Sequence, residues 1–537
     1  MDNPKAVSRS AIHFLTGTFF SRLSGLGRDM AMAFCFGVNP AIAAFMVAFR
    51  FANLMRRLFG EGSLSSSFIP YFESIRASDA QKGFQFFRDF LASMSSLLIV
   101  CILLVEGALF MWLKKGGLSP DAAQILYLTM LMLPGVLFIC LFAISSALLQ
   151  CEKKFFLTGV SPAAFNVIWI VAAIGLKDRG PDNAVIPLSI AIVLGFFAQW
   201  LMTVPGAFSF TRNSLSLRNC FRVELFSQEF RAVLKPLLLS VIGVGAVQIN
   251  SALDGVFARF ASLEGPAYLW YAIRLEQLPL ALFGIALSSA LLPPLSRAVK
   301  AQDPAQFQLL VNFAIRRAFS LIFPCVIGML VFGAAGVNLI FGRGDFNDLA
   351  ATNTIICLWA YAAGLLPTVF VLILAPALYA RKDYRTPTIL SVCAVVLNIA
   401  LNALMVFGLN WGAFSIAIAT SLCALFNCWM LVHYLSKKIG PILEPTILFS
   451  FGKTIVSSLV AGTLAVFLSR LFIGDLTIEV MLGKAVTFSH RFLEQLVQFC
   501  VPFFLFLLFF FAIAYLLKAQ DVIELFKTKR SKLDVIE

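Results

Sequence analysis

Arginine is among the residues a bilayer interior tolerates least, yet this chain places several within stretches otherwise apolar enough to cross one. Arg22 and Arg28 lie in the first apolar run, from about Ser10 to Phe36; Arg50, Arg56 and Arg57 lie in the second; Arg274 sits deep in a later one. Near the bilayer centre each costs at least ~2.5–3.5 kcal/mol. Several are therefore kept only where they face protein or a wet cavity. Guanidinium groups converging on one cavity suit phosphate or pyrophosphate, which accept bidentate hydrogen bonds. The chemistry this implies is the holding of an anionic cargo, and the expectation is a transporter.

The neighbours of these arginines sort them. Arg22 and Asp29 are seven residues apart and fall on nearly the same helix face, while Arg28 points elsewhere. Arg22 is too deep to snorkel easily, which favours a cavity-facing role; for Arg28, local pairing with Asp29 or snorkelling stands beside that role. Arg57 and Glu61 have i, i+4 spacing, so an intrahelical pair accounts for Arg57, whereas Arg56 has no such partner and is the better ligand candidate. Gly60 and Gly62, followed by Ser63, Ser65, Ser66 and Ser67, allow either close helix packing or a break that exposes backbone donors. Arg274 has Glu276 and Gln277 nearby, at spacings unsuited to a strong intrahelical pair. Cation or drug transport would call for intramembrane carboxylates instead, and the candidates are few: Asp29, Glu61, Glu106, Asp254 and Glu276. Glu106 fits either a cation site or a place near the outer interface.

The elements that must carry these residues follow from composition. The chain is 60% hydrophobic and 13% charged, against about 45–50% and 25% in an ordinary soluble domain. It is a polytopic membrane protein of the all-α class. Runs of roughly 20 apolar residues recur about fourteen times, those carrying charges (first, second, seventh and eighth) being the least regular. No polar stretch is long enough for a soluble domain. Arg22 interrupts the first run and no small-residue cleavage site follows, so that run reads as an uncleaved helix. Alternate loops are rich in Lys and Arg, as at Lys153–Lys154, Arg381–Lys382 and Lys437–Lys438, while the intervening ones hold little beyond Lys114, Lys115, Lys177, Arg179, Arg343 and a few near Lys484. The positive-inside rule places both termini in the cytoplasm. The net charge of +14 reflects this bias together with the buried arginines, and needs no nucleic acid. The eleven cysteines read as small hydrophobes. His13, His433 and His490 have no ligand spacing, so neither a metal site nor a cofactor is expected.

The chain is also written twice. Phe49-Arg50-Phe51, Leu58-Phe59-Gly60, Ser65 and Pro70 reappear as Ile273-Arg274-Leu275, Leu282-Phe283-Gly284, Ser289 and Pro294, each 224 residues on. A weaker echo links Asn166 with Asn398. If the second and eighth helices correspond, an even number of crossings separates them, and the halves insert in the same sense as a parallel repeat. The expected organisation is an N-lobe over 1–222, a C-lobe over 223–440, each of six helices, and two further helices with a basic tail over 441–537. Cargo would bind where the first, second, seventh and eighth helices meet.

At these residues the sequence resembles the MurJ (MviN) family, the lipid II flippases of peptidoglycan synthesis within the multidrug/oligosaccharidyl-lipid/polysaccharide exporter superfamily. The resembling stretches are FFSRLSGLGRDMAMAFCFG (19–37), FRFANLMRRLFGEGSLSSSFIP (49–70), WYAIRLEQLPLALFGIALSSALLPPLSR (270–297) and APALYARKDYRTPT (375–388). The resemblance implies fourteen helices, a central cationic cavity between two lobes, and a hydrophobic groove formed with the last two helices. Its required arginines match Arg22, Arg28, Arg56 and Arg274. It implies lipid II as cargo in a bacterial inner membrane, membrane lipids as surroundings, and cell-wall synthesis or division proteins as candidate partners. Two positions depart: Ala43 and Leu372 stand where many relatives carry charge, so coupling here can differ.

Three rivals are weighed against this. A cation-coupled drug exporter or polysaccharide-unit flippase of the same superfamily would be expected to place carboxylates where this chain has arginines. A membrane enzyme acting on polyprenyl pyrophosphates would need a clustered acidic metal site or a nucleophile–base pair, and neither is present. A non-transporting scaffold requires neither the repeat nor the buried arginines.

Overall fold

Within a bilayer, backbone amides must be satisfied inside their own segment or in a closed barrel, and this chain takes the first course. The computed structural model describes residues 4–55, 58, 63–214, 223–440, 442, 445–473, 476–483 and 486–524, and among them there is helix and no strand. Among the described residues ten helices are long and apolar enough to cross a membrane, and an eleventh crossing arises if Pro120–Met132 and Gly135–Cys151, bent by 40° about their junction, act together. Pro134 stands at that junction and supplies the bend. The first, second and seventh expected runs are helices as well, but outside that set. Arg22, Arg28 and Asp29 dilute the first, and Pro40–Met55 is short.

Packing divides the chain into two units, Met1–Arg259 and Phe260–Glu537. The first contains α1 (Pro4–Phe36), α2 (Pro40–Met55), α3 (Ser63–Ser78), α4 (Ala80–Lys115), α5 (Pro120–Met132), α6 (Gly135–Cys151), α7 (Phe155–Val160), α8 (Pro162–Leu176), α9 (Pro181–Leu201), α10 (Val204–Ser214) and most of α11 (Gln228–Ala261). Helix α1 lies along α7 and α8. Gly17 permits the closest approach, since a β-carbon there would stand 2.7 Å from the Phe156 carbonyl oxygen. The buried indole of Trp169 on α8 meets Phe45 and Phe49 of α2 edge-on, at 5.6 and 4.8 Å between centroids, while Phe165 stacks on Phe196 of α9 at 4.6 Å. Without a hydrophobic driving force between helices in lipid, such close ring contacts and small-residue crossings carry the association.

The second unit contains α12 (Gly265–Pro279), α13 (Ala286–Lys300), α14 (Pro304–Phe341), α15 (Asp348–Ala380), α16 (Arg385–Ala403), α17 (Phe414–Ile439), α18 (Pro445–Ile473), α19 (Leu476–Met481), α20 (Phe492–Leu516) and α21 (Gln520–Ile523). Helices α15 and α17 close to backbone range at Gly364, whose β-carbon would fall 2.8 Å from Ser421 Cα; the Ser421 hydroxyl donates to the Ala360 carbonyl at 2.7 Å. The last two long helices, α18 and α20, join α14 through Ile327, Val331, Ala461, Ala465, Phe506 and Phe510. In the short turn between α15 and α16, Asp383 accepts from the Lys438 ammonium and from the Thr386 N–H, which together hold its carboxyl down at about 2. The basic stretch 375–388 is thereby tied to the end of α17. That carboxyl stays charged at any pH above the usual carboxylate range, so the tie persists at neutral pH and weakens only in strong acid.

The internal repeat has a structural counterpart. Leu280–Ile285 forms a π-helical turn between α12 and α13, and Leu58, which stands 224 residues before Leu282, is π-helical too. Single π turns widen a helix locally and concentrate at working sites.

Candidate functional site

Of the described arginines expected to bind cargo, Arg28 is seated most completely. Only 7% of it is exposed, and its guanidinium lies over the Trp169 ring at 4.5 Å from the centroid. Nε and Nη2 donate to Asp29 Oδ1 at 3.0 and 2.8 Å, and Nη1 donates to Asn166 Oδ1 at 3.1 Å. Asn166 in turn donates through Nδ2 to the Ser24 hydroxyl and the Ser21 carbonyl of α1, at 3.0 and 3.2 Å. One α8 asparagine thus sets the register of α1 and aims its arginine. Of the readings that the sequence leaves open for Arg28, local pairing with Asp29 is the one its side chain adopts, folding back onto its neighbour. Arg22 is exposed and hydrogen-bonds to no described residue.

A buried ion pair broken from one side leaves a charge uncompensated, at a cost of about 3–5 kcal/mol. Asp29→Ala is therefore expected to lower the melting temperature of the purified protein well below that of Asp29→Asn, which keeps an acceptor for Arg28. Equal melting of wild type and Asp29→Ala would mean that the pair does not hold this helix.

Arg274 repeats the theme in the second unit. It projects from α12 over the Trp270 ring, again at 4.5 Å to the centroid. The two residues are four apart on one helix, so the stack is built locally. Cation–π contact with tryptophan is worth roughly 0.5–2 kcal/mol. Glu276, two residues on, is buried. The offset partner of Arg274, Arg50, is placed differently: its stem crosses α11 at Gly255, where a β-carbon would stand 2.8 Å from Arg50 Cδ, and Nη1 donates to the Ser251 carbonyl at 3.3 Å. Arg56, Arg57, Gly60, Glu61 and Gly62 lie outside the described residues.

Three features were not anticipated from the sequence. Trp270 could have been, from its i, i+4 spacing to Arg274. Trp169 could not, because nothing local links it to Arg28. The third is Arg259, at the end of α11. It grips the Asp121 carboxylate with Nε (2.9 Å) and Nη2, and donates Nη1 to the Pro40 carbonyl at 2.8 Å. It thereby ties the first turns of α5 and α2 to α11 across 138 residues of sequence. Among the described residues no three His, Cys, Asp or Glu side chains gather as a metal site would require.

Comparison with known proteins fits this geometry. A sequence profile described as lipid II flippase MurJ matches residues 32–486. A Chlamydia trachomatis serovar D protein named "Probable lipid II flippase MurJ" is 31% identical over 531 residues, covering 98% of this chain and 97% of that one. A Vibrio cholerae protein of the same name is 30% identical over 462 residues, covering 81% and 85%. Among solved structures, the fold is similar to "Lipid II flippase MurJ, inward closed conformation" (TM-score 0.73, 23% identity, 94% of this chain and all of that one). It is also similar to an inward-facing multidrug resistance MATE family transporter of the MOP superfamily (TM-score 0.62, 15% identity, 80% and 98%). A profile match over most of the chain, with full-length relatives above 30% identity, places this chain in the lipid II flippase MurJ family.

Proposed function

We propose that this protein moves lipid II, an undecaprenyl-pyrophosphoryl disaccharide-peptide, from the cytoplasmic to the periplasmic leaflet of a bacterial inner membrane. The observation that carries the reading is the pair of intramembrane arginines, one in each unit, each lying on a tryptophan face. Arg22, Arg28, Arg56 and Arg274 bind the pyrophosphate, and Asp29, Arg50, Arg57, Glu61, Gly60 and Gly62 support them. Asp29 already serves Arg28 as counter-charge, which removes it from the short supply of carboxylates a cation-coupled exporter would use. No covalent step is involved. Alternating access carries the cargo, and an inside-negative potential favours outward movement of negative charge by about 2.3 kcal/mol per charge per 100 mV.

The same reading completes the topology. Helices α1, α2 and α11 are crossings that polar residues conceal, giving fourteen, with lobes over 1–222 and 223–440, the last two helices within 441–537, and both termini cytoplasmic. Single cysteines at Lys153 and Lys177 are expected to react with an impermeant thiol reagent from opposite sides, the first only after the cytoplasm is opened. Labelling of Lys153Cys in intact spheroplasts would overturn the orientation or the count.

The functional test is complementation. Expression of this chain is expected to restore growth and rod integrity to a strain depleted of its own lipid II flippase. A chain that inserts normally yet rescues nothing would direct attention to the drug- or polysaccharide-exporting members of the superfamily.

A further inference from the structure

A second polar site lies in the Phe260–Glu537 unit, away from the arginines above. A cavity of about 610 Å³ opens between the first turns of α14, the start of α18 and the short α21. Arg317 stands eight residues before Cys325, the middle of the α14 apolar run, hence about 12 Å along the helix. That is close to the edge of a hydrocarbon layer about 30 Å thick. Gln308, nine residues further out, is well into the head-group layer, so the cavity spans that layer on the side the proposed topology makes cytoplasmic.

Its charges are unevenly satisfied. Arg316 gives Nε and Nη2 to Asp521 at 3.1 and 2.8 Å, and the Ser450 hydroxyl also donates to that carboxylate, so this pair is internally neutral and fixes the wall. Arg317 makes only a 3.3 Å bond from Nη1 to the Asp521 main-chain oxygen, and among the described residues it faces no carboxylate in ion-pair range. Glu524, three residues after Asp521, also lines the cavity and makes no ion pair with a described residue. Asn312 lines the same cavity, and its Oδ1 is buried with no donor among the described residues. A simple anion on Arg317 would meet Glu524 and leave the Asn312 acceptor unused. A ligand with a phosphate and a nearby ammonium would satisfy all three. Asn312 stands five residues further out than Arg317, about 7 Å along the helix, so phosphate on Arg317 and ammonium at Asn312 take the order of a phospholipid head group whose acyl chains lie on the hydrocarbon side.

We propose that this cavity binds the head group of a phospholipid bearing a primary ammonium, of the phosphatidylethanolamine class, with phosphate on Arg317 and ammonium between Asn312 Oδ1 and Glu524. The site is independent of the pyrophosphate reading, since neither Arg317 nor Glu524 belongs to it.

The test uses the full-length protein in mixed micelles carrying equal amounts of phosphatidylethanolamine, phosphatidylglycerol and phosphatidylcholine, with bound lipid read by native mass spectrometry. Phosphatidylethanolamine is expected to be retained preferentially. Arg317→Ala and Glu524→Gln each remove a charge-assisted contact, and each should cut that retention roughly tenfold. Arg317→Lys should fall in between, and Lys382→Ala should match wild type. Soluble O-phosphoethanolamine should compete at millimolar concentration where inorganic phosphate does not. Preference for phosphatidylglycerol, or variants that retain lipid as wild type does, would overturn the zwitterion. Binding of O-phosphoethanolamine without discrimination among the lipids would overturn the lipid as its source.

Discussion

Arg22→Ala, Arg56→Ala and Arg274→Ala are each expected to abolish rescue of a flippase-depleted strain while the protein remains inserted and abundant. A guanidinium held near mid-membrane contributes little to folding that alanine would not supply more cheaply, because its desolvation opposes its retention. Its value lies in the bound state, where each charge-assisted, bidentate contact to pyrophosphate contributes about 1.5–3 kcal/mol. Lysine keeps the charge and loses the planar fork, so the lysine variants should rescue partially. Arg28 is bonded to Asp29 and Asn166, which makes it structural as well, and Arg28→Ala should lower the melting temperature along with function. Normal growth of the alanine variants at normal abundance would show the pyrophosphate site to be elsewhere.

Charge reversal separates the two repeats. Arg274→Glu should be far more damaging than Arg50→Glu, although the two positions are related by the 224-residue offset. Arg50 shares its stretch with Arg56 and Arg57, whereas Leu280 and Ala281 stand at the matching places after Arg274. The structure adds a reason. Arg50 is turned onto α11, across Gly255 and the Ser251 carbonyl, and packs against that helix. Arg274 lies over Trp270 of its own helix instead. A growth assay at matched expression should give loss of rescue for Arg274→Glu and near-normal rescue for Arg50→Glu. Equal tolerance of both would count against a cargo held by arginines of both units and favour the first unit alone.

What the sequence made legible was whatever is local or periodic. Helix class follows from hydropathy, and the repeat announced a similarity that the π-helical conformation of Leu58 and Leu282 shares. The i, i+4 step from Trp270 to Arg274 was equally available. Long-range features were not. The anchoring of Arg28 by Asn166 and Trp169, and of Asp121 by Arg259, joins residues more than 130 positions apart, and no spacing rule reaches that far. The helices hardest to recognise as crossings include those that carry the proposed binding residues. Each arginine that makes α1 useful also lowers its hydropathy, so function itself obscures that element.

The account stands or falls on where lipid II resides. In cells depleted of their own flippase and expressing this chain, a probe confined to the periplasm should find lipid II accessible at the level of undepleted cells. With Arg274→Ala in its place, lipid II should accumulate unreached in the cytoplasmic leaflet. Accessible lipid II without the protein, or inaccessible lipid II with the inserted wild-type chain, would contradict it.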